Sequence, residues 1–225
     1  QVHVPLSAIL LIVGAVLCFT LLDATVKALA DRYPIPLLVW ARYAVQLMVI
    51  LLCLLPRMVV GLLRTPRFRL QFVRAAILPL SSLCFFSALR YLPLAEATAI
   101  NYATPVLVII LAVLFLGERM TRPRIALVLA GIAGMFLIVR PGSVVFQGAA
   151  LLALGSAVFY GAFQILTRTL AGEDSRVLLF YPALVGTLMM TAVLPWFGSE
   201  VAMPWPDLVL VVATGLLGTF GHFLF

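Results

Sequence analysis

Ionisable side chains inside long apolar runs are the first feature of this sequence that could do chemistry. Asp23 and Lys27 stand at i and i+4 with the acid first, the order that suits a helical pair. Asp23 lies about six residues, or ~9 Å along a helix, inside the end of its run, whereas Lys27 is close enough to that end to snorkel to water. A carboxylate at that depth costs several kcal/mol unless it faces protein or a water-filled cavity. It therefore reads either as a cavity-lining substrate or proton site or as a structural ion pair with Lys27 or Arg42. Arg42, beside Trp40 and Tyr43 and about seven residues into the second run, needs an acceptor: Asp23, Glu96, or a carboxylate or phosphate on a ligand. Trp40 reads as a ligand contact or as an interfacial belt residue.

The densest polar set is Glu96, Thr98, Asn101, Tyr102, Thr104 and Pro105. Pro105 removes the helical partner of the Asn101 carbonyl, so a kink beside Asn101 and Tyr102 could form part of a binding cavity or a packed, hydrogen-bonded bend. Glu96 is a candidate for proton coupling, or a hydrated carboxylate at the mouth. Ser156, Tyr160, Gln164 and Thr167 follow 4-4-3 spacing and share one helical face, which should look into the bundle rather than at lipid. His222 follows Gly215, Gly218 and Gly221 and is a candidate proton or ligand site. No GxSxG, HExxH, P-loop or EF-hand pattern is present, and Cys18, Cys53 and Cys84 match no metal-ligand spacing. Neither a metal, nor a cofactor, nor an enzymatic constellation is expected.

These residues must be positioned by membrane helices. Of the 225 residues, 64% are hydrophobic and 10% charged. A soluble domain carries about 25% charged residues, so an ordinary soluble enzyme, a disordered chain and a disulfide scaffold are excluded. The apolar runs predict eight spans, at about 7–29, 35–55, 74–91, 93–116, 124–140, 148–170, 177–197 and 207–225. They are helical, because unpaired backbone cannot face lipid and no alternating ten-residue pattern suggests a barrel. The net charge of +7 comes from arginines between the runs, so a topology bias is expected and no nucleic-acid partner. Arg57, Arg64, Arg67, Arg69, Arg74, Arg119, Arg122, Arg124, Arg168 and Arg176 flank one side, against Arg32, Arg90 and Arg140 on the other. The N-terminus is therefore expected in the cytoplasm. The first run, with no basic stretch before it, reads as a true span, and the opening Gln1 suggests a start further upstream.

A shift of 141 positions overlays the first two spans on the sixth and seventh; Ala8, Leu10, Leu11, Gly14, Leu29, Ala30, Leu37, Leu38, Leu47 and Met48 meet identical residues. A repeat of five spans is odd, so its second copy enters the membrane from the opposite side, which is a transporter design. Small residues at every fourth position (Ala149, Ala153, Ala157 and Gly161; Ala126, Ala130 and Gly134) predict close helix packing.

The run from Glu96 to Pro105, the apolar stretch to Leu116, Gly117 and Glu118, the segments Ile125–Gly131 and Leu137–Gly142, and Asp23, Lys27 and Val39–Tyr43 together resemble the EamA-type carriers of the drug/metabolite transporter superfamily. The resemblance implies an all-α polytopic membrane protein with ten transmembrane helices in two inverted five-helix repeats (5+5), both termini cytoplasmic, and a central cavity shared by the halves. Residues 1–142 would form the first repeat and 143–225 an incomplete second one (helices 6–8), about eight helices being present. The part equivalent to 86–140 is then missing, so that either the protein continues beyond Phe225 or it is truncated. It further implies secondary transport of a small metabolite, often an amino acid or related compound and commonly as efflux, and a structural role for Glu118 at the inner end of the fourth helix.

The expected function is alternating-access transport of a small polar or zwitterionic molecule across a bacterial inner membrane. Asp23, Trp40, Arg42, Asn101, Tyr102, Tyr160, Gln164 and His222 are the candidate substrate-binding residues, and Asp23 and Glu96 the candidates for proton coupling. The partners are a small-molecule substrate and the lipid bilayer, with a homodimer as an open option. The rival readings are a non-transporting membrane scaffold or subunit, and an intramembrane enzyme.

Overall fold

A computed structural model describes residues 6–53, 65–138, 144–197 and 203–224, with side chains described outside 135–147. Arg57, Arg64, Arg140, Pro141 and Gly142 lie outside the described residues. The described residues form nine α-helices and one 3₁₀ turn: α1 (Leu6–Leu29), α2 (Ile35–Cys53), α3 (Phe68–Tyr91), α4 (Leu94–Asn101), α5 (Thr104–Leu116), α6 (Arg122–Ile138), α7 (Val144–Thr169), α8 (Ser175–Val193), the 3₁₀ turn Leu194–Phe197, and α9 (Trp205–Leu224). Helices α4 and α5 make one crossing, and seven crossings are long and apolar enough to span a bilayer. Helix α6 has 17 described residues and matches the expected fifth span.

Local chemistry sets the ends. Gly117 takes φ 66°, the left-handed conformation a residue with a Cβ adopts at a cost, and so terminates α5. Asp174 caps α8 by accepting a hydrogen bond from the Arg176 amide at 2.8 Å. Pro36 and Pro206 sit in the first turns of α2 and α9, where a missing N–H costs nothing. Helix α3 begins six residues before the expected 74, because Phe68–Val73 continue the helix past the apolar run. Arg74, counted above among loop charges, is thus a helical residue and is 3% exposed.

The packing is pairwise. Helix α3 lies against α7 and α8, α9 against α1 and α2, and α2 against α8. Ser81 of α3 bonds Ser156 of α7 at 3.0 Å at the centre of the first interface, and Ala149, Ala153 and Ala157 are buried on α7. The corresponding expectation fails for α6, where Ala126 and Ala130 are exposed and Gly131 packs on Val106 instead. The main core gathers Leu22, Val26, Leu38, Tyr43, Phe85, Phe86, Leu89, Ala153 and Met190 toward the end of the bundle that carries Arg32 and Asp207. A smaller cluster, Ile50, Ala75, Val177, Phe180 and Tyr181, lies toward the other end. Helix α1 turns Leu10, Ile12, Val13 and Leu17 outward, as a lipid-facing surface requires.

Candidate functional site

Residues of α1, α2, α3, α4, α5, α7 and α9 meet around a cavity of about 300 Å³. Asp23, Arg42, Asn101, Tyr102, Tyr160, Gln164 and His222 all line it, so seven of the eight expected binding residues share one chamber. Trp40 does not. Its indole Nε1 donates to Thr191 Oγ1 at 2.8 Å and ties α2 to α8. Glu96 lies in the first turn of α4, half-buried, and lines neither this cavity nor the one described next.

Arg42 is 7% exposed and is held by uncharged neighbours. Its Nη1 donates to Ser82 Oγ at 3.0 Å, and the same hydroxyl bonds Tyr43 at 2.9 Å. Its guanidinium lies 5.4 Å from the centre of the Tyr43 ring and 5.8 Å from that of Phe86. Gly218 of α9 presses against the stem, where a Cβ would stand 3.1 Å from Nε. Asp23 forms no ion pair among the described residues. Neither structural pairing open to it in the sequence is made, because Lys27 instead donates to the Leu89 carbonyl at 2.6 Å. A guanidinium and a carboxyl group therefore line one small chamber without a direct ion pair between them.

The helix is interrupted before Pro105, and the break is satisfied locally. Tyr102 and Ala103 form a turn with right-handed helical dihedrals between α4 and α5, and the Thr104 hydroxyl donates to the freed Asn101 carbonyl at 2.7 Å. The side-chain Oδ1 of Asn101 stays without a partner. So do Arg42 Nε and His222 Nε2, all three buried and all on residues lining the same cavity. Buried polar atoms are normally paired. Three unpaired ones around one chamber mark a place where a ligand can supply the bonds. His222 meets Phe19 edge-on at 5.1 Å, and Tyr160 stacks on Phe163 at 5.8 Å.

A second cavity, of about 670 Å³, lies toward the Arg168 and Arg176 end, and Gln46, Arg74 and Thr167 line it. Leu78, Tyr160, Gln164 and His222 line both chambers, and so form a wall between them. At the opposite end Asp207 receives Arg32 Nη1 at 2.9 and 3.0 Å and the Tyr33 hydroxyl at 2.7 Å. That bond holds the Tyr33 phenol above its ordinary pKa of 10.0. Asp207 is 7% exposed, so this clasp joins the α1–α2 turn to the start of α9. Near the second cavity, Glu118 pairs with Arg124 at 2.7 Å and with Arg168 at 3.6 Å.

Sequence reasoning passed over Ser81, Ser82, Gln46 and Arg74. The first three carried a usable signal, as polar residues inside apolar runs. Arg74 carried none, because it stands at the edge of an arginine-rich loop.

Helices that bury polar faces inward, apolar faces outward and solute-sized chambers in series define a multi-pass membrane protein built to handle a solute. The chain belongs to the EamA-like transporter family, whose match covers residues 6–140. It is 31% identical to the pseudopaline exporter of Pseudomonas aeruginosa over 94% of this chain and 75% of that protein. It is 26% identical to a riboflavin transporter of Brucella anthropi over 85% of this chain and 67% of that protein. With the S-adenosylmethionine uptake transporter of Rickettsia conorii it shares 25% identity over 56% of this chain and 44% of that protein. A solved crystal structure superposes with TM-score 0.73 at 21% identity, over 97% of this chain and 77% of that one, which shows the fold alone. The protein is thus a transporter of the drug/metabolite superfamily, not an enzyme, and a multi-pass bacterial membrane protein.

Proposed function

We propose that the protein exports a small zwitterionic metabolite, an amino acid or a related compound, across the bacterial inner membrane by alternating access. The observation that carries this reading is the first cavity, which Arg42 and Asp23 line without a direct ion pair and where three buried polar atoms lack partners. Arg42 takes the substrate's anionic group. Asp23 takes its cationic group, or a coupling proton. Asn101, Tyr102, Tyr160, Gln164 and His222 supply hydrogen bonds and an aromatic face. Glu96 stands outside the cavity and could load a proton only from the surface; Trp40 acts by fixing α2 against α8. The exporter named among the relatives favours export over uptake.

The packing supports the inverted-repeat reading. The repeat pairs α1 with α7, α2 with α8 and α3 with α9, so the α1–α9 contact corresponds to α7–α3 and the α2–α9 contact to α8–α3; both members of each pair are made. Residues 1–142 and 143–225 are then two inverted units, and Asp23 and Gln164 are equivalent positions lining one chamber. With the N-terminus in the cytoplasm, the Arg32–Asp207 clasp closes the outer face and the second cavity belongs to the inner side.

The test is exchange in proteoliposomes, after a thermal-shift screen of the full chain with amino acids, nucleosides and vitamins has given a stabilising substrate. Arg42→Gln and Asp23→Asn are each expected to slow exchange by about tenfold or more, since each removes a charge-assisted contact. Unchanged exchange in both variants would sink the assignment.

A further inference from the structure

Arg74 is the buried cation that the transport reading leaves unused. Its guanidinium is fixed on three sides. Nε donates to Thr167 Oγ1 at 2.7 Å. Nη1 donates to the Leu178 carbonyl at 3.0 Å, the very carbonyl that Pro182 strips of its helical partner. The plane lies 4.4 Å from the centre of the Phe163 ring. Held in this way, Arg74 lines the second cavity.

Among the described residues, no carboxylate forms an ion pair with Arg74. The second cavity is lined by Arg74, Arg168 and Arg176 and by no acidic residue. The acids toward that end do not pair with Arg74: Glu118 pairs with Arg124 and with the lining Arg168, Glu173 accepts from Thr65, and Asp174 caps α8. Low-dielectric walls around charges of one sign concentrate counter-ions. A guanidinium already locked in place binds a planar or tetrahedral oxyanion with little further ordering cost. Gln46 adds an independent sign of a ligand. It is 1% exposed, lines the same cavity, and its Oε1 has no partner.

We propose that the second cavity is an anion site distinct from the first: Arg74 takes the carboxylate or phosphate of a small free solute, and Gln46 accepts an O–H or N–H that the same solute carries. The preferred ligand is an organic anion with an adjacent hydrogen-bond donor, such as a hydroxy or amino acid.

Malate and succinate, which differ by one hydroxyl, are the probes. The full chain, in phosphatidylcholine nanodiscs at fixed ionic strength, is titrated with each while its thermal midpoint is followed. Both are expected to bind saturably, malate about fivefold tighter for one extra neutral hydrogen bond. Gln46→Leu should abolish the preference and keep succinate binding. Arg74→Gln should weaken both by about tenfold or more, and Arg74→Lys should restore part of the loss. Arg42→Gln, in the first cavity, should leave both titrations unchanged. The Gln46→Leu result stands even if the Arg74 variants fold poorly. Absence of saturable binding would overturn the proposal. So would a malate preference that survives Gln46→Leu, or binding lost with Arg42→Gln. Stabilisation by phosphatidylglycerol that leaves no response to malate would assign the site to a lipid headgroup and equally overturn it.

Discussion

Arg42 owes its position to residues with no charge. Ser82 holds both Arg42 and Tyr43, and Tyr43 in turn is backed by Gly186 of α8. A Cβ on Gly186 would stand 2.7 Å from the Tyr43 ring, which is fully buried and has nowhere to move. Gly186→Ala is therefore predicted to destabilise the protein by about 1–3 kcal/mol, the usual cost of overpacking. It should weaken substrate binding as well, through the Tyr43–Ser82–Arg42 chain. Gly134→Ala is the control. Nothing lies within 4 Å of its Cβ, and alanine favours a helix, so its thermal midpoint should hold or rise slightly. Thermal unfolding of both variants in one detergent checks the pair; equal losses would mean that Tyr43 is not the obstacle.

At the scale of the element, the α4–α5 break shows how a proline becomes tolerable in a membrane. The Thr104 hydroxyl occupies the carbonyl that Pro105 exposes, which leaves the Asn101 amide free to face the cavity. Thr104→Val keeps the shape and deletes that donor. A buried, unsatisfied carbonyl costs about 1–3 kcal/mol, and the loss should appear as a lower thermal midpoint in the valine variant with recovery in Thr104→Ser. The same helices show what a sequence can reveal. Asp23, Arg42, Asn101, Tyr160, Gln164 and His222 were legible as cavity residues because a polar group inside an apolar run is expensive anywhere else. Trp40 and Glu96 sat in equally apolar company, yet the exact face of a helix, which decides whether a side chain meets a cavity or a neighbour, depends on packing that no run of residues displays. Arg74 was hidden for a different reason: hydropathy cannot separate a loop arginine from one on the first turns of a helix. Seven long apolar spans were readable among the described residues, since backbone satisfaction in lipid allows little else.

For the whole molecule, the arrangement of the two cavities matters more than either volume. They are divided by Leu78, Tyr160, Gln164 and His222. In a carrier that keeps one gate shut, this layer carries part of the barrier. Tyr160→Ala removes its largest ring, and loaded proteoliposomes of that variant are predicted to leak substrate without exchange partner, whereas the native protein holds it. A Tyr160→Phe variant keeps the ring and should remain tight. Equal retention by Tyr160→Ala and native protein would mean that the closure lies elsewhere, toward the Arg32–Asp207 end.

That clasp has a consequence for how the protein is made. Arg32 and Asp207 are 175 residues apart. A chain built from its N-terminus must thread α2 through α8 into the bilayer before the acceptor for Arg32 exists. Until then Arg32 and Tyr33 lack Asp207, the acid they bind in the folded protein. Sealing is therefore a late step in biogenesis: a ribosome that stalls before α9 leaves behind a bundle with most of its helices and no lock.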